Sequence, residues 1–292
     1  VDEITIIGCG DLGLRVARLH QARGEEVLGV VRTPESAAGL RQAAVHTALW
    51  DLDHGPLDEA PASVGKRVYY FAPPPAGGIS DPRIERWLRA TVAAPPVKIV
   101  YVSTSGVYGD CAGKWIDEEQ PVNPGADRSR RRLWAERCLG EFAERTDTRI
   151  VILRVPGIYG PGRLPLQRLR RREPVLRESE CPYTNRIHID DLARVCIAAM
   201  DRGHANGIYN ATDGSPSTMT AYFNAIADLA GLPRPPQISM QEARKTLSPG
   251  MISYLEESRR ISSRRLLAEL KVQFRYRDLR QGLMASLPLR PS

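Results

Sequence analysis

The segment Gly8-Cys9-Gly10-Asp11-Leu12-Gly13 constrains the fold more than any other part of the chain. It follows the apolar run Ile4-Thr5-Ile6-Ile7 and opens the amphipathic run from Leu12 to Ala22, so it reads as a strand, a tight turn and a helix. Each glycine then has a task. Gly8 permits the turn, Gly10 lets the backbone approach a pyrophosphate, and Gly13 lets the helix pack closely on the strand. Cys9, Asp11 and Leu12 complete the loop, and amides exposed at the helix N-terminus favour an anion there. The spacing predicts a dinucleotide site at the first turn of an α/β domain.

Strand-like runs recur at 4–7, 26–31, 67–71, 98–103 and 150–155, with helical stretches near 12–22, 34–42, 81–92 and 128–145. This alternation predicts a doubly wound parallel sheet of Rossmann type, covered by helices on both faces. Ile150-Val151-Ile152-Leu153 is apolar throughout and reads as a central, buried strand. The rhythm then breaks. Proline and glycine punctuate residues 156–162, and a basic helix-like run follows. Residues 187–200 carry helical periodicity, Gly207-Ile208-Tyr209-Asn210 reads as a short strand, and 216–292 read as mostly helical. The expected division is a dinucleotide-binding domain (residues 1–155 and 187–212) and a smaller, mostly helical substrate domain (156–186 and 213–292). The loop Ala72-Pro73-Pro74-Pro75 follows a strand and is expected to line the crevice at the carboxyl edge of the sheet.

Composition removes several classes of function. The 292 residues are 42% hydrophobic and 26% charged, a globular balance, and no apolar run is long enough to span a bilayer. The chain opens almost directly on a strand with no leader pattern, which gives the expectation of a cytoplasmic protein without a membrane partner. Cys9, Cys111, Cys138, Cys181 and Cys196 are widely spaced, form no CxxC and show no metal-ligand spacing with the five histidines; reduced thiols and no metal are expected. A net charge of +7 suits anionic ligands. Arginine clusters at 130–132, 170–172, 259–260 and 264–265 lack interleaved aromatics and a DNA-binding motif, so no nucleic-acid partner is expected.

Further segments share one pattern: Ser103-Thr104-Ser105-Gly106-Val107-Tyr108-Gly109, Asp117-Glu118, Ala135-Glu136, the run Arg154-Val155-Pro156-Gly157-Ile158-Tyr159-Gly160-Pro161-Gly162-Arg163, Arg186-Ile187-His188-Ile189-Asp190-Asp191-Leu192-Ala193, and Tyr209-Asn210. In this order, with the glycine turn, the chain resembles the extended short-chain dehydrogenase/reductase family, the group of NAD-dependent epimerases and dehydratases, over nearly its whole length. The resemblance implies a hydroxyl residue four positions before Tyr108, which is Thr104, whose hydroxyl steadies charge on a substrate carbonyl; the alternative is a strand-end cap. It implies a catalytic YxxxK motif shortly before Ala135-Glu136. Arg128-Ser129-Arg130-Arg131-Arg132 stands there instead, as in the atypical branch of the family. Arginine stays protonated and is no general base. Arg132 then takes the lysine's place at the nicotinamide ribose, while Arg128 either binds a substrate anion or is solvated. Tyr108, Tyr159, Tyr183 and His188 are the replacement proton donors to weigh, each against a packing role, and Cys111 has no evident partner.

The second strand ends in Val30-Val31-Arg32-Thr33, without the carboxylate that bonds the ribose of NAD. Arg32, helped by the Thr33 hydroxyl, suits the 2′-phosphate of NADP instead, so NADP is expected before NAD. The resemblance places Asp51 and Leu52 at adenine, Ala72 and Pro73 beside the adenosine and pyrophosphate, and Ser103, Pro156 and Gly157 along the cofactor. It assigns Tyr159, Arg163, Tyr183, Asn185 and Arg186 to the substrate, with Thr104 and Arg128. Asp191 is expected to cap the following helix. A homodimer through the helices near 81–92 and 128–145 is a further implication. Two functions stay open: an NADP-dependent oxidoreductase, epimerase or dehydratase with a rebuilt centre acting on a small, anionic, carbonyl or sugar-like substrate, and an inactive NADP(H) redox sensor that presents its surface to a partner.

Overall fold

The computed structural model describes residues 4–63 and 65–288. The chain begins β1 (Ile4–Ile7), α1 (Asp11–Gln21), β2 (Val27–Val31), α2 (Pro34–Gln42), β3 (His46–Leu49), β4 (Arg67–Tyr70), α3 (Pro82–Thr91) and β5 (Lys98–Thr104). It continues through β6 (Trp115–Ile116), α4 (Asp127–Arg145), β7 (Arg149–Val155), β8 (Gly157–Tyr159), α5 (Leu166–Arg170), β9 (Val175–Leu176), β10 (Tyr183–Thr184) and β11 (Arg186–His188). Then come α6 (Ile189–Arg202), β12 (Gly207–Asn210), β13 (Ser217–Thr218), α7 (Met219–Ala230), β14 (Gln237–Ile238), α8 (Met240–Thr246), α9 (Pro249–Leu255), β15 (Arg260–Ile261), α10 (Arg264–Leu270) and α11 (Leu279–Ser286).

Seven strands form one parallel sheet in the order β12-β7-β5-β4-β1-β2-β3. Their apolar residues alternate between two cores, as a sheet buried on both faces requires. One core packs Val16, Ala17, Leu40, Val195 and Cys196 of α1, α2 and α6 under the sheet. The other packs Ile84, Trp87, Leu139 and Phe142 of α3 and α4 over it. The strand order reverses between β1 and β4, and ligands bind at the carboxyl side of such a switch point.

Three expectations need correction. β3 was not among the expected strands: His46-Thr47-Ala48-Leu49 is an edge strand with no buried residue, so it carries no apolar run to betray it. β7 is buried, but it lies next to the edge strand β12, and the middle of the sheet is β4. The expected helix at 187–200 begins later, at Ile189, because residues 186–188 pair with β8 as a short parallel ribbon.

Beyond the main sheet, the second half forms small ribbons and short helices. β10 pairs antiparallel with β13, whereas β9 pairs parallel with β14 and β6 parallel with β15. A separate apolar cluster, including Tyr159, Leu169, Tyr222, Phe223 and Leu283, joins α5, α7 and α11. This body stands over the carboxyl ends of β5 and β7. Among the described residues, no helix is long and apolar enough to cross a membrane.

Candidate functional site

Two cavities open along the carboxyl edge of the sheet. The first, about 500 Å³, lies over the ends of β1, β2, β3 and β4; the second, about 650 Å³, lies over β5 and β7.

The first cavity is made largely by backbone. Gly8 has φ +78°, and a Cβ there would stand 2.5 Å from the amide nitrogen of Ala72, so only glycine lets the turn pass under the loop after β4. Gly13 lies under the turn, where a Cβ would meet Cys9 Sγ at 3.0 Å and Ile6 Cγ2 at 3.2 Å. It holds α1 close to β1, as Leu12 packs behind the loop. Gly10 is the N-cap of α1 and no side chain caps the helix, leaving the first amides to an anion. Gly8, Cys9, Gly10, Asp11, Arg32, Thr33, Asp51, Leu52, Ala72 and Pro73 all line this cavity; Leu12 and Gly13 lie behind it.

At the tip of β2, Arg32 is 62% exposed and reaches Asp53 at only 3.8 Å. Asp53 is gripped instead by Arg83, through bonds of 2.7 and 2.6 Å, and these hold its carboxyl below the usual range. Thr33 caps α2 by accepting from the Ser36 amide at 3.3 Å, and Ser36 lines the same wall. Sequence reasoning missed Ser36, Asp53 and Arg83: Asp53 and Arg83 reach the β2 tip only when the β3–β4 loop and α3 fold back over it, and Ser36 follows Thr33 by one turn of α2.

The second cavity gathers side chains from distant segments. Ser103, Thr104, Arg128, Arg132, Pro156, Gly157, Tyr159, Arg163, Tyr183, Asn185 and Arg186 line it together. Thr104 Oγ1 accepts from the Gly106 amide at 3.2 Å, so it both caps the strand end and faces the cavity. Arg132 donates to Tyr101 Oη and to the Val102 carbonyl, each at 3.2 Å; burial opposes its charge, but the Tyr101 bond raises its pKa and it stays protonated. Arg128 donates to Ser253 Oγ at 2.7 Å and lies 3.5 Å over the Tyr254 ring. Asn185 spends its amide on the Arg259 carbonyl and the Ile261 amide, tying β15 in place. Arg186, 6% exposed, donates to Ser217 and Thr184 hydroxyls at 2.7 Å each and lies 4.1 Å over Tyr222. Arg163 pairs with Asp11 at 2.9 Å and so joins the two cavities. Burial disfavours the Asp11 charge, yet the Arg163 and Arg15 bonds prevail and lower its pKa.

Tyr108 is not brought to the site. It is buried away from the cavity lining, its phenol donates to Asn210 Oδ1 at 2.8 Å, and Arg154 lies 4.8 Å over its ring. Arg154 in turn pairs with Glu136 at 2.8 Å, and Ser103 Oγ donates to Glu136 at 2.5 Å. Tyr108 thus belongs to a buried column that braces the cavity wall. His188 also lies outside the lining. Its Nδ1 accepts from the Asp190 amide at 3.1 Å, its Nε2 meets Ser286 Oγ at 3.2 Å, and burial lowers its pKa. Tyr159 lines the cavity by its ring, but its hydroxyl is buried against Gly282 of α11. The Asp191 carboxylate accepts from the Arg275 and Tyr276 amides and anchors the segment before α11 instead of capping α6; His188 caps that helix. Tyr222, Ser253, Tyr254 and Arg259 were not foreseen; no local motif marks them.

The arginine clusters divide: 170–172 are exposed, whereas several members of the others bond within the molecule. Arg131 donates to the Gly78 carbonyl, Arg259 pairs with Glu257 at 2.8 Å, and Arg265 bonds Glu269 at 3.2 Å.

Comparison with known proteins agrees with this architecture. Residues 84–212 match the NAD dependent epimerase/dehydratase family. Protein YeeZ of Escherichia coli K12 is 24% identical over 286 residues, covering 94% of this chain and 97% of YeeZ. A functionally unknown conserved protein from Silicibacter pomeroyi superposes with a TM-score of 0.86 at 29% identity, covering 98% of both chains. UDP-glucuronic acid 4-epimerase from Bacillus cereus, solved with NAD, superposes with a TM-score of 0.78 at 17% identity over 97% of both chains, which shows the shared fold.

Proposed function

We propose that this chain, whose residues 84–212 match the NAD dependent epimerase/dehydratase family, binds NADP in the first cavity and acts as an oxidoreductase on a small anionic substrate held in the second. The observation that carries the reading is the β2 tip, where Arg32, Thr33 and Ser36 stand together while Arg83 holds the Asp53 carboxylate. A 2′-phosphate there would meet a guanidinium, two hydroxyls and the N-terminus of α2. The uncapped amides of α1 and the Gly8 turn fit a pyrophosphate. Residues 1–155 and 187–212 would then hold the cofactor, and 156–186 and 213–292 the substrate. We place the protein in the cytoplasm, which its five free cysteines suit, and a homodimer contact on α3 and α4, where Trp134 is 40% exposed.

When bound, the dinucleotide supplies or accepts a hydride. The chain's own residues do the rest. Arg132, half-buried beneath the end of β5, holds a fixed positive charge beside the cavity floor. Thr104 presents its hydroxyl to a substrate oxygen and steadies charge as it develops. Arg128 adds a cation but no proton. Of the four donors weighed from sequence, Tyr183 alone lines the cavity with an exposed ring, and Arg260 lies 4.9 Å from that ring's centre. We assign it the proton. Substrate-linked oxidation of NADPH, screened over keto acids, aldehydes and sugar carbonyls, tests the assignment. Thr104→Val is expected to lower kcat about 10²-fold; unchanged turnover in both Thr104→Val and Tyr183→Phe would refute it. The absence of a Tyr/Lys pair at Arg128 and Arg132 favours a second reading, a redox sensor, and tight NADPH binding without any hydride transfer across the screen would select it.

A further inference from the structure

We infer that the substrate carries a planar carboxylate, held edge-on by Arg128 on the Thr104 side of the second cavity, which makes it a hydroxy acid or a keto acid. The inference rests on the reading of that cavity as the substrate site. Six arginines line it: Arg128, Arg132, Arg163, Arg168, Arg186 and Arg259. Three are spent on carboxylates, Arg163 on Asp11 at 2.9 Å, Arg168 on Glu173 at 2.8 Å and Arg259 on Glu257 at 2.8 Å. Glu257, which also lines the cavity, is thereby neutralised. Arg132 is spent on Tyr101 and the Val102 carbonyl, and Arg186 on Ser217, Thr184 and the Thr218 carbonyl.

Arg128 differs from all five. Among the described residues it makes one hydrogen bond, from Nη1 to Ser253 Oγ, and no ion pair within 4.0 Å. Its flat face is covered by the Tyr254 ring at 3.5 Å. A guanidinium has five donors in one plane. Stacking strips water from its face and fixes its tilt while leaving the in-plane edge open, the arrangement that two-point binding of a carboxylate uses. Among the described residues, Arg128 alone of the six makes a single hydrogen bond and pairs with no carboxylate, so its open edge is where a flat, two-oxygen anion would dock. Thr104 and Ser129 line the same wall, so the bound carboxylate would lie next to the oxygen that Thr104 steadies.

Calorimetric titration of the full chain with oxamate, a planar monocarboxylate, and with inorganic phosphate tests this, with and without saturating NADP. Oxamate is expected to bind, and Arg128→Gln to weaken it at least tenfold while keeping a donor for Ser253. Arg128→Lys should lose nearly as much, because the charge remains but the fork does not. Tyr254→Leu should lose about threefold, and Arg234→Gln, on an exposed pair with Asp228, nothing. Thermal midpoints measured on each variant separate loss of the site from loss of the fold. Oxamate binding that Arg128→Gln or Arg128→Lys leaves intact in a folded variant would overturn the inference, as would no oxamate binding, or phosphate binding tighter than oxamate through Arg128. Oxamate bound through Arg128 without any dinucleotide affinity would leave this inference standing and remove the NADP reading; NADP bound without oxamate would do the reverse.

Discussion

The first cavity, proposed as the nucleotide cleft, and the second cavity beside it share one sheet edge but are built by different means. The cleft is a backbone structure. Its turn, its uncapped helix and its wall at the β2 tip come mostly from residues 7–53, and its most restrictive element is a glycine with no room for a methyl group. The second cavity is a side-chain structure. Its wall at β5 faces groups from α4, from the 156–168 segment, from the 183–186 ribbon and from α9, and no two neighbouring groups need be near in sequence. One site follows from a local pattern; the other exists only after the chain has folded.

The two constructions fail differently, and substitutions can separate them. The largest effect is expected at Glu136, which is 7% exposed and holds Arg154 and Ser103 behind the second cavity. Glu136→Gln leaves a buried guanidinium without its counter-ion and is expected to cost about 3–5 kcal/mol in urea unfolding. Dinucleotide affinity of the folded fraction should survive. Next comes Gly8→Ala, where positive φ and the contact with Ala72 combine to cost about 2–4 kcal/mol. Here the outcome is inverted: dinucleotide binding is lost, while the second cavity keeps its affinity for small anions. If both variants lose both affinities alike, the two sites are not built independently.

A pH series sharpens the contrast from the side of the second body. Burial pushes the Asp213 carboxyl up to about 7, against the Ser215 amide and the Arg186 charge. Its folded pKa lies above its unfolded one, so the native state binds the proton more tightly. The resulting stabilisation is full below about pH 4 and is lost as pH rises through about 7, up to about 4 kcal/mol in all. Thermal midpoints of the native chain and Asp213→Asn should therefore diverge across that window, the native chain losing ground at higher pH. Parallel curves would place the Asp213 proton elsewhere. The smallest effect is expected at the bridge between the cavities. Arg163 and Asp11 are 36% and 43% exposed, so Arg163→Gln should change stability by less than about 1 kcal/mol.

The same contrast explains what was readable in the sequence. Strands β1, β2, β4, β5 and β7 announce themselves by apolar runs, and the glycine turn by its spacing after one of them. β3 does not, because an exposed edge strand needs no apolar face. Arg32 and Thr33 were legible because they directly follow β2, whereas Arg83 reaches Asp53 across thirty positions by folding alone. In the second cavity, motif segments located Thr104, Arg128 and Arg186 but not their partners. Tyr108 shows the limit of motif reading. Its place in the Val107-Tyr108-Gly109 segment suggested chemistry, and packing gave it Asn210 and Arg154 instead. Tyr254, the ring under Arg128, sits in a seven-residue helix with no pattern that marks it in advance.

Calorimetric titration of the dinucleotide-stripped chain with NADP, NADPH, NAD and NADH decides whether the first cavity is made for NADP. Micromolar or tighter binding of NADP(H) is expected, with at least tenfold weaker binding of NAD(H) and loss of that preference in Arg32→Asp. Equal affinity for both pairs, or a preference for NADP that survives Arg32→Asp, would contradict it.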